Sequence, residues 1–305
     1  MSEYLVSICI PTYEQIDSLK RCLDSILIQN FRNFEIIITD DSRSNIIEDF
    51  IAKYNFEDIT YKYIKNLKQL GSPENWNEGI RHSKAKFIKV LHHDDWFTYK
   101  NSLETFIKAI ENEPNISLAF VCSRNINLKD FSIININRPS ISYTNTIKNN
   151  PILLVSGNFI GSPSATIFTR LDNYTYFDKN LKWYVDTEAY TNLLSKYKAK
   201  LIFNDSDAIS VGISEHQITR ECENNPQINI FEFFYYLEKH NFKYLNNFDI
   251  TLSCLEHFRN FSIDSIKKIR IYFDGRLPIG VRLLAFSMKF IGYNYTYKLI
   301  SKIFS

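Results

Sequence analysis

The chain has 305 residues, 45% of them apolar, and its 36 Lys and Arg against 34 Asp and Glu leave a net charge of only +2. That length suits one large domain, or a domain with an accessory segment, and so small a charge excludes recruitment of nucleic acid by a global field. Cys9, Cys22, Cys122, Cys222 and Cys254 are scattered and odd in number, which argues against a disulfide frame or structural zinc and for a reducing compartment.

Leu5 to Ile10 is an apolar run stopped by Pro11, as in a buried parallel strand, and Ile16, Leu19, Cys22, Leu23 and Ile26 follow at helical spacing. With no basic stretch and apolar segment ahead of that strand, a cytoplasmic location is expected. A second strand, Phe34 to Thr39, ends on Asp40-Asp41-Ser42. A helix at about 46–54 leads to a third strand at Tyr61 to Ile64 and, past Asn66 and Gly71, to a helix around 74–83. The fourth strand, Phe87 to Leu91, stops at His92-His93-Asp94-Asp95-Trp96. Strands alternating with helices predict an α/β fold with a doubly wound, mostly parallel sheet.

Parallel strands end on one side of such a sheet, where open α/β folds present their ligand site. Pro11-Thr12-Tyr13, Asp40-Asp41 and Asp94-Asp95 are therefore expected to converge. Tyr13 can stack on a base, and Asp40 or Asp41 can accept a hydrogen bond from its imide. Two adjacent acids are costly unless a cation lies between them, so Asp94 and Asp95 suit a divalent metal carrying a diphosphate. Taken one at a time, Tyr13 reads as a half-buried core tyrosine and the acids as a solvated turn capping the next helix.

The segments Val6–Tyr13, Glu35–Ser42, Asn66 with Asn75–Ile80, and Leu91–Trp96 stand in the order and spacing of the family 2 nucleotide-sugar glycosyltransferases, and the chain resembles that family over roughly residues 4–220. The resemblance implies a GT-A (Rossmann-like) fold, with Pro11, Thr12, Tyr13, Asp40, Asp41, Asn66, Asn77 and Asp94 on the nucleotide, and Asp94 and Asp95 as the DxD-type metal motif. Glu14 replaces a common Asn, His92 stands where many members have a further acid, and Trp76 replaces an Arg. One carboxylate fewer implies that the cation arrives with the diphosphate.

Leu118 to Ser123 reads as the next strand, followed by a weakly patterned, loop-like stretch over 124–150. The resemblance makes Gly161 and Ser162, with Trp183, the loop beside donor sugar and acceptor. It also makes Asp186 the general base, with Glu188 the competitor on the far side of the same helix. Leu201 to Phe203 and Ala208 to Val211 suggest two strands, and His216 is a candidate third metal ligand.

From Gln227 the pattern is helical. The tail, 276–305, has no run of about 20 apolar residues that would span a bilayer. Two readings stand level: it lies on a membrane surface, or it packs on the domain or on a second copy in a homodimer.

These expectations divide the chain into a catalytic domain over 1–220, with nucleotide-sugar binding in 1–123 and the acceptor side in 124–220, and a C-terminal helical region over 221–305. They describe an inverting hexosyltransferase using Mn2+ or Mg2+ and a UDP-linked donor. Its acceptor is expected to be a glycan or lipid-linked saccharide in bacterial surface polysaccharide synthesis, at the inner face of the cytoplasmic membrane. A nucleotidyltransferase, which would want a Gly-rich phosphate loop after the first strand, and a non-catalytic nucleotide-sugar binder remain as alternatives.

Overall fold

Every residue of β1 (Val6–Thr12) is buried, the mark of a strand covered on both faces. The computed structural model describes residues 3–214, 222 and 224–304. In it β1 pairs in parallel with β2 (Phe34–Asp40) and β4 (Phe87–Val90), and β3 (Tyr61–Lys65) lies parallel outside β2. Helices α1 (Ile16–Leu27), α2 (Ile46–Ile51) and α3 (Ser72–His82) make the crossovers. The register sets Thr12 beside Asp40, so the polar ends of β1 and β2 meet as expected.

Beyond β4 the sheet becomes mixed. β8 (Thr166–Thr169) runs antiparallel between β4 and β6 (Ser117–Asn127). β9 (Lys200–Ile213) is parallel to β6, and the short β5 (Trp96–Phe97), which precedes α4 (Ser102–Ile110), closes the edge antiparallel to β9.

Two expectations change here. The stretch 124–150 is not a loop: β6 runs on to Asn127, β7 (Ile133–Asn137) pairs back on it, and α5 (Ile141–Asn149) follows. β7 is exposed along most of its length, so its Ile and Asn residues carry no inside-outside pattern to read. Nor are there two strands over 201–211. Asn204 to Asp207 looks like a turn, but β9 passes straight through it, with a register shift opposite Val121 and Ser123. Asp205 and Asp207 are held by Arg138 and Arg124, at 2.5 and 2.6 Å.

Two cores flank the sheet. One joins Ile8 and Ile38 to Leu19 and Leu23 of α1 and Phe106 of α4. The other joins Phe120 and Phe168 to Tyr190 and Leu193 of α6 (Val185–Ser195), and also to the helices that follow residue 225. These are α7 (Pro226–Lys239), α8 (Phe248–Asn260), α9 (Ile266–Ile269), α10 (Val281–Phe290) and α11 (Gly292–Phe304). Phe233, Phe258, Val281 and Ile300 share that core with Tyr190, so the expected boundary near residue 220 is not a break in packing. Among the described residues no helix is long and apolar enough to cross a membrane.

Candidate active site

Past β4 the chain turns tightly, with the Asp95 amide donating to the His92 carbonyl at 3.0 Å. The turn folds His92 back over the acids: His92, Asp94 and Asp95 each offer one ligand atom, all within 4.8 Å of one another. A divalent cation at about 2.0–2.6 Å from each ligand fits that spacing. Asp95 is buried, and burial together with the charge of Asp94 raises its carboxyl well above the usual range. Burial lowers the His92 imidazole to about 4, so the ring is neutral and able to ligate, and its buried Nε2 has no hydrogen-bond partner among the described residues. The sequence reading counted His92 as a lost carboxylate; the geometry returns it to the cluster, and its place in the motif was the available signal. His216 lies outside the described residues.

Two residues from β9 and the Pro163–Ala165 turn brace the cluster. The Gly212 amide donates to Asp95 Oδ1 at 3.1 Å, and a Cβ at Gly212 would come within 2.5 Å of the Asp94 carbonyl, so only glycine lets β9 approach. Ser164 Oγ accepts from the His92 amide at 3.0 Å and also hydrogen-bonds Asp95. Beneath them Lys89, fully buried, donates to the carbonyls of Ser164 and Thr166, and its burial lowers the amine to about 7.

At the end of β1 Tyr13 is 43% exposed and so not a core tyrosine. Thr12 is buried with its hydroxyl unpartnered among the described residues, and the Pro11 carbonyl accepts from His93 Nδ1 at 3.2 Å, tying the end of β1 to the acidic turn. Glu14 holds a left-handed φ of 54°, which a short polar side chain such as the common Asn adopts more readily. Its carboxylate accepts from the amides of Arg43 and Ser44 at 2.8 and 3.0 Å and so locks the ends of β1 and β2 together.

The other nucleotide-site expectations are redistributed. Asp40 accepts from the Ser42 amide and the Tyr63 hydroxyl at 2.9 and 2.7 Å. Asp41 accepts from Asn66 Nδ2, Leu70 N and Gly71 N at 2.9, 2.8 and 3.0 Å, so it shapes the loop that carries Asn66. Asn77 is turned away: its amide clasps Phe177, accepting from the nitrogen at 3.0 Å and donating to the oxygen at 2.7 Å. Its buried, two-pronged main-chain grip makes it a structural clamp.

Asp186 lies in the first turn of α6, where Oδ1 accepts from the Thr187 amide at 2.8 Å and Oδ2 from Asn158 Nδ2 at 2.7 Å. Burial nevertheless raises its carboxyl to about 6. Asn158 also grips Gly161 through both its amide groups, and Gly161 has a φ of +98° that favours glycine. Next to it Ser162 Oγ is buried without a partner among the described residues. Glu188 faces elsewhere, fully buried and paired with Lys239 at 2.8 Å. Trp183 is half-buried just ahead of α6, where Glu232 of α7 accepts from the amides of Lys182, Trp183 and Tyr184 at 2.7, 2.9 and 3.0 Å. A single stretch, 158–164, thus touches Asp186 at one end and the His92–Asp95 cluster at the other. Asn158 and Ser164 fall in the loop that the resemblance sets beside the sugar, with no contact assigned to either, and Gly212 and Glu232 carry no sequence signal, because all four act through contacts between distant segments.

The family model for glycosyl transferase family 2 matches residues 7–168, more than half of the chain. The chain belongs to glycosyl transferase family 2. An uncharacterized glycosyltransferase of Rickettsia prowazekii is 32% identical over 118 residues, 39% of this chain and 36% of that protein. One from Methanocaldococcus jannaschii is 31% identical over 122 residues, 39% of this chain and 42% of its own length. The match therefore spans about two fifths of these relatives. Among solved structures, S. aureus TarS 1-349 in complex with UDP-GlcNAc superimposes with a TM-score of 0.55 at 14% identity, covering 97% of this chain and 91% of that one. The mannosyltransferase PcManGT from Pyrobaculum calidifontis, in complex with GDP-Man and Mn2+, gives 0.53 at 12%, covering 99% and 74%. At such identities the likeness is one of fold, the GT-A arrangement of a mixed sheet flanked by helices.

Proposed function

We propose that this family 2 member is a metal-dependent, inverting glycosyltransferase that moves one sugar from a UDP-linked donor to a glycan or lipid-linked saccharide in bacterial surface polysaccharide synthesis. The observation that carries the proposal is the 158–164 stretch, which joins a cation-shaped acid cluster to a separate, half-buried carboxylate raised to about 6. The complexes of TarS with UDP-GlcNAc and of PcManGT with GDP-Man and Mn2+ support the donor class and the metal.

In this reading Tyr13 stacks on the base, and Asp41 keeps the Asn66 loop against it. His92, Asp94 and Asp95 would hold Mn2+ or Mg2+, which when bound stabilises charge on the departing diphosphate. Asp186 takes the proton of the acceptor hydroxyl as that oxygen bonds to the anomeric carbon. The bond from that carbon to the diphosphate oxygen breaks on the opposite side, and configuration inverts. Asn158 holds the carboxylate oriented, and the Gly161–Ser162 turn and Trp183 border the sugar.

The test is transfer and donor hydrolysis across a panel of nucleotide sugars, with and without chelator. Metal-dependent turnover of a UDP-sugar, giving the opposite anomeric configuration in the product, is the expected outcome. Binding of donors with no turnover for any acceptor would leave a nucleotide-sugar binder, and retained configuration would remove Asp186 as a simple base.

A further inference from the structure

The last two helices have two apolar stripes each. On α10, Val281, Leu284 and Ala285 are buried, and on α11, Thr296 and Ile300; these seat the pair on α8. The second stripe points outward: Leu283, Phe286 and Phe290 on α10, at intervals of three and four residues, and Tyr295, Leu299 and Ile303 on α11, at intervals of four, are 48 to 73% exposed. Side chains at such intervals share one face of a helix. Scattered exposed apolar residues need no explanation, but six in two adjoining stripes do.

The charge of this region differs from the rest of the chain. Residues 265–305 contain eight Lys and Arg and one acid, Asp274, whereas the other 264 residues contain 28 basic residues and 33 acids. Arg282, Lys289, Lys298 and Lys302 are exposed alongside the outward stripes. From this combination we infer that the outer face of α10 and α11 docks on an anionic bilayer surface, its apolar stripes entering the headgroup boundary and its basic side chains meeting lipid phosphates. A second copy is a poor occupant, because a two-fold pairing of this face would set one basic rim against another. The face is rigidly joined to the catalytic half. α8 packs on the 3₁₀ turn Pro151–Ser156, two residues ahead of Asn158, so docking would fix the site's orientation to the membrane.

The experiment is co-sedimentation of the full chain with phosphatidylcholine vesicles, with and without phosphatidylglycerol, at low and high salt. It reads no sugar transfer, so its result is separate from the proposed reaction. Binding should require phosphatidylglycerol and weaken with salt. Each basic residue near an anionic surface is worth about a fivefold change in affinity, so R282E/K289E should bind at least tenfold more weakly. F286S/F290S, which spares the buried stripe, should do likewise, and both variants should unfold near the parent temperature. If F286S/F290S fails to fold, R282E/K289E alone decides. Equal binding to neutral vesicles, no binding to either kind, or parent-like binding by R282E/K289E would overturn the inference. So would a multimer in gel filtration that F286S/F290S splits, since the face would then be an interface between copies.

Discussion

The turn after β4 and the first turn of α6 both bury carboxylates, yet they meet that cost in different ways. At the β4 turn a second acid, Asp94, adjoins Asp95, and its charge is the next cause after burial of the raised Asp95 carboxyl. The Ser164 hydroxyl, the Gly212 amide and the Lys89 charge act the other way on Asp95, yet burial and Asp94 prevail and the carboxyl stays raised. At α6 no other charge contributes to the shift of Asp186, and an amide side chain and a helix-start N–H meet its two oxygens. Two adjoining acids beside a neutral imidazole suit a cation. One isolated carboxyl near 6, ionised at neutral pH but still basic, suits a proton acceptor.

The sharpest way to break this contrast is chelation. EDTA should abolish transfer and added Mn2+ or Mg2+ restore it, while isothermal calorimetry should show metal binding in the parent and its loss in Asp95→Ala. Full turnover under chelation would mean that the acid pair serves only structure.

Asp186→Asn comes next, with transfer lowered about 10²–10⁴-fold and donor affinity unchanged, the pattern of an interaction made in the transition state. Glu188→Gln is the control: it should spare turnover of the folded enzyme while lowering stability by about 1–3 kcal/mol through the lost Lys239 pair. The reverse result would move the base to Glu188.

A pH profile separates the two turns further. As the proposed base, Asp186 acts only when ionised, so the rate should fall as pH drops through about 6. Asn158 donates to its carboxylate and favours the ionised form, so Asn158→Ala should move that midpoint upward. The stability sign is opposite. A folded-state pKa above the unfolded 3.8 makes a contribution present below about 4 and lost as pH rises through about 6. Asp186→Asn should therefore melt higher than the parent at pH 7.5 and equal it near pH 4, as calorimetry would read.

The smallest effect concerns Tyr13. Tyr13→Ala should weaken UDP binding by about 1–3 kcal/mol, the usual worth of a base-aromatic stack, with no change in unfolding temperature. Asp41→Ala should lower both, because Asp41 also organises residues 66–71.

The parallel half of the fold was legible because β1, β2 and β4 are short apolar runs, each ending on chemistry-bearing residues, and Asp94 and Asp95 could be read from that ending. Periodicity failed where the environment was one-sided or irregular. β7 is exposed along most of its length, and β9 carries acids through its middle that arginines from other segments hold. Asn77 misled because its motif position does not record that its partner lies 100 residues away. The loop holding Asn158 and Ser164 was legible but their contacts were not, for the same reason: a short polar residue in a loop has many uses, and only the fold selects one.

The grip of Glu232 on the start of α6 falls entirely on main-chain N–H groups. Any residue but proline at positions 182–184 offers the same N–H; the Tyr184 side chain is also packed in the core, whereas Lys182 is exposed and Trp183 half-buried. In the proposed reading, where Trp183 borders the sugar, that side chain can change while Asp186 stays in place. A saturation library should accordingly tolerate broad change at Lys182 and Trp183 and almost none at Glu232, which separates what the enzyme glycosylates from how it does so.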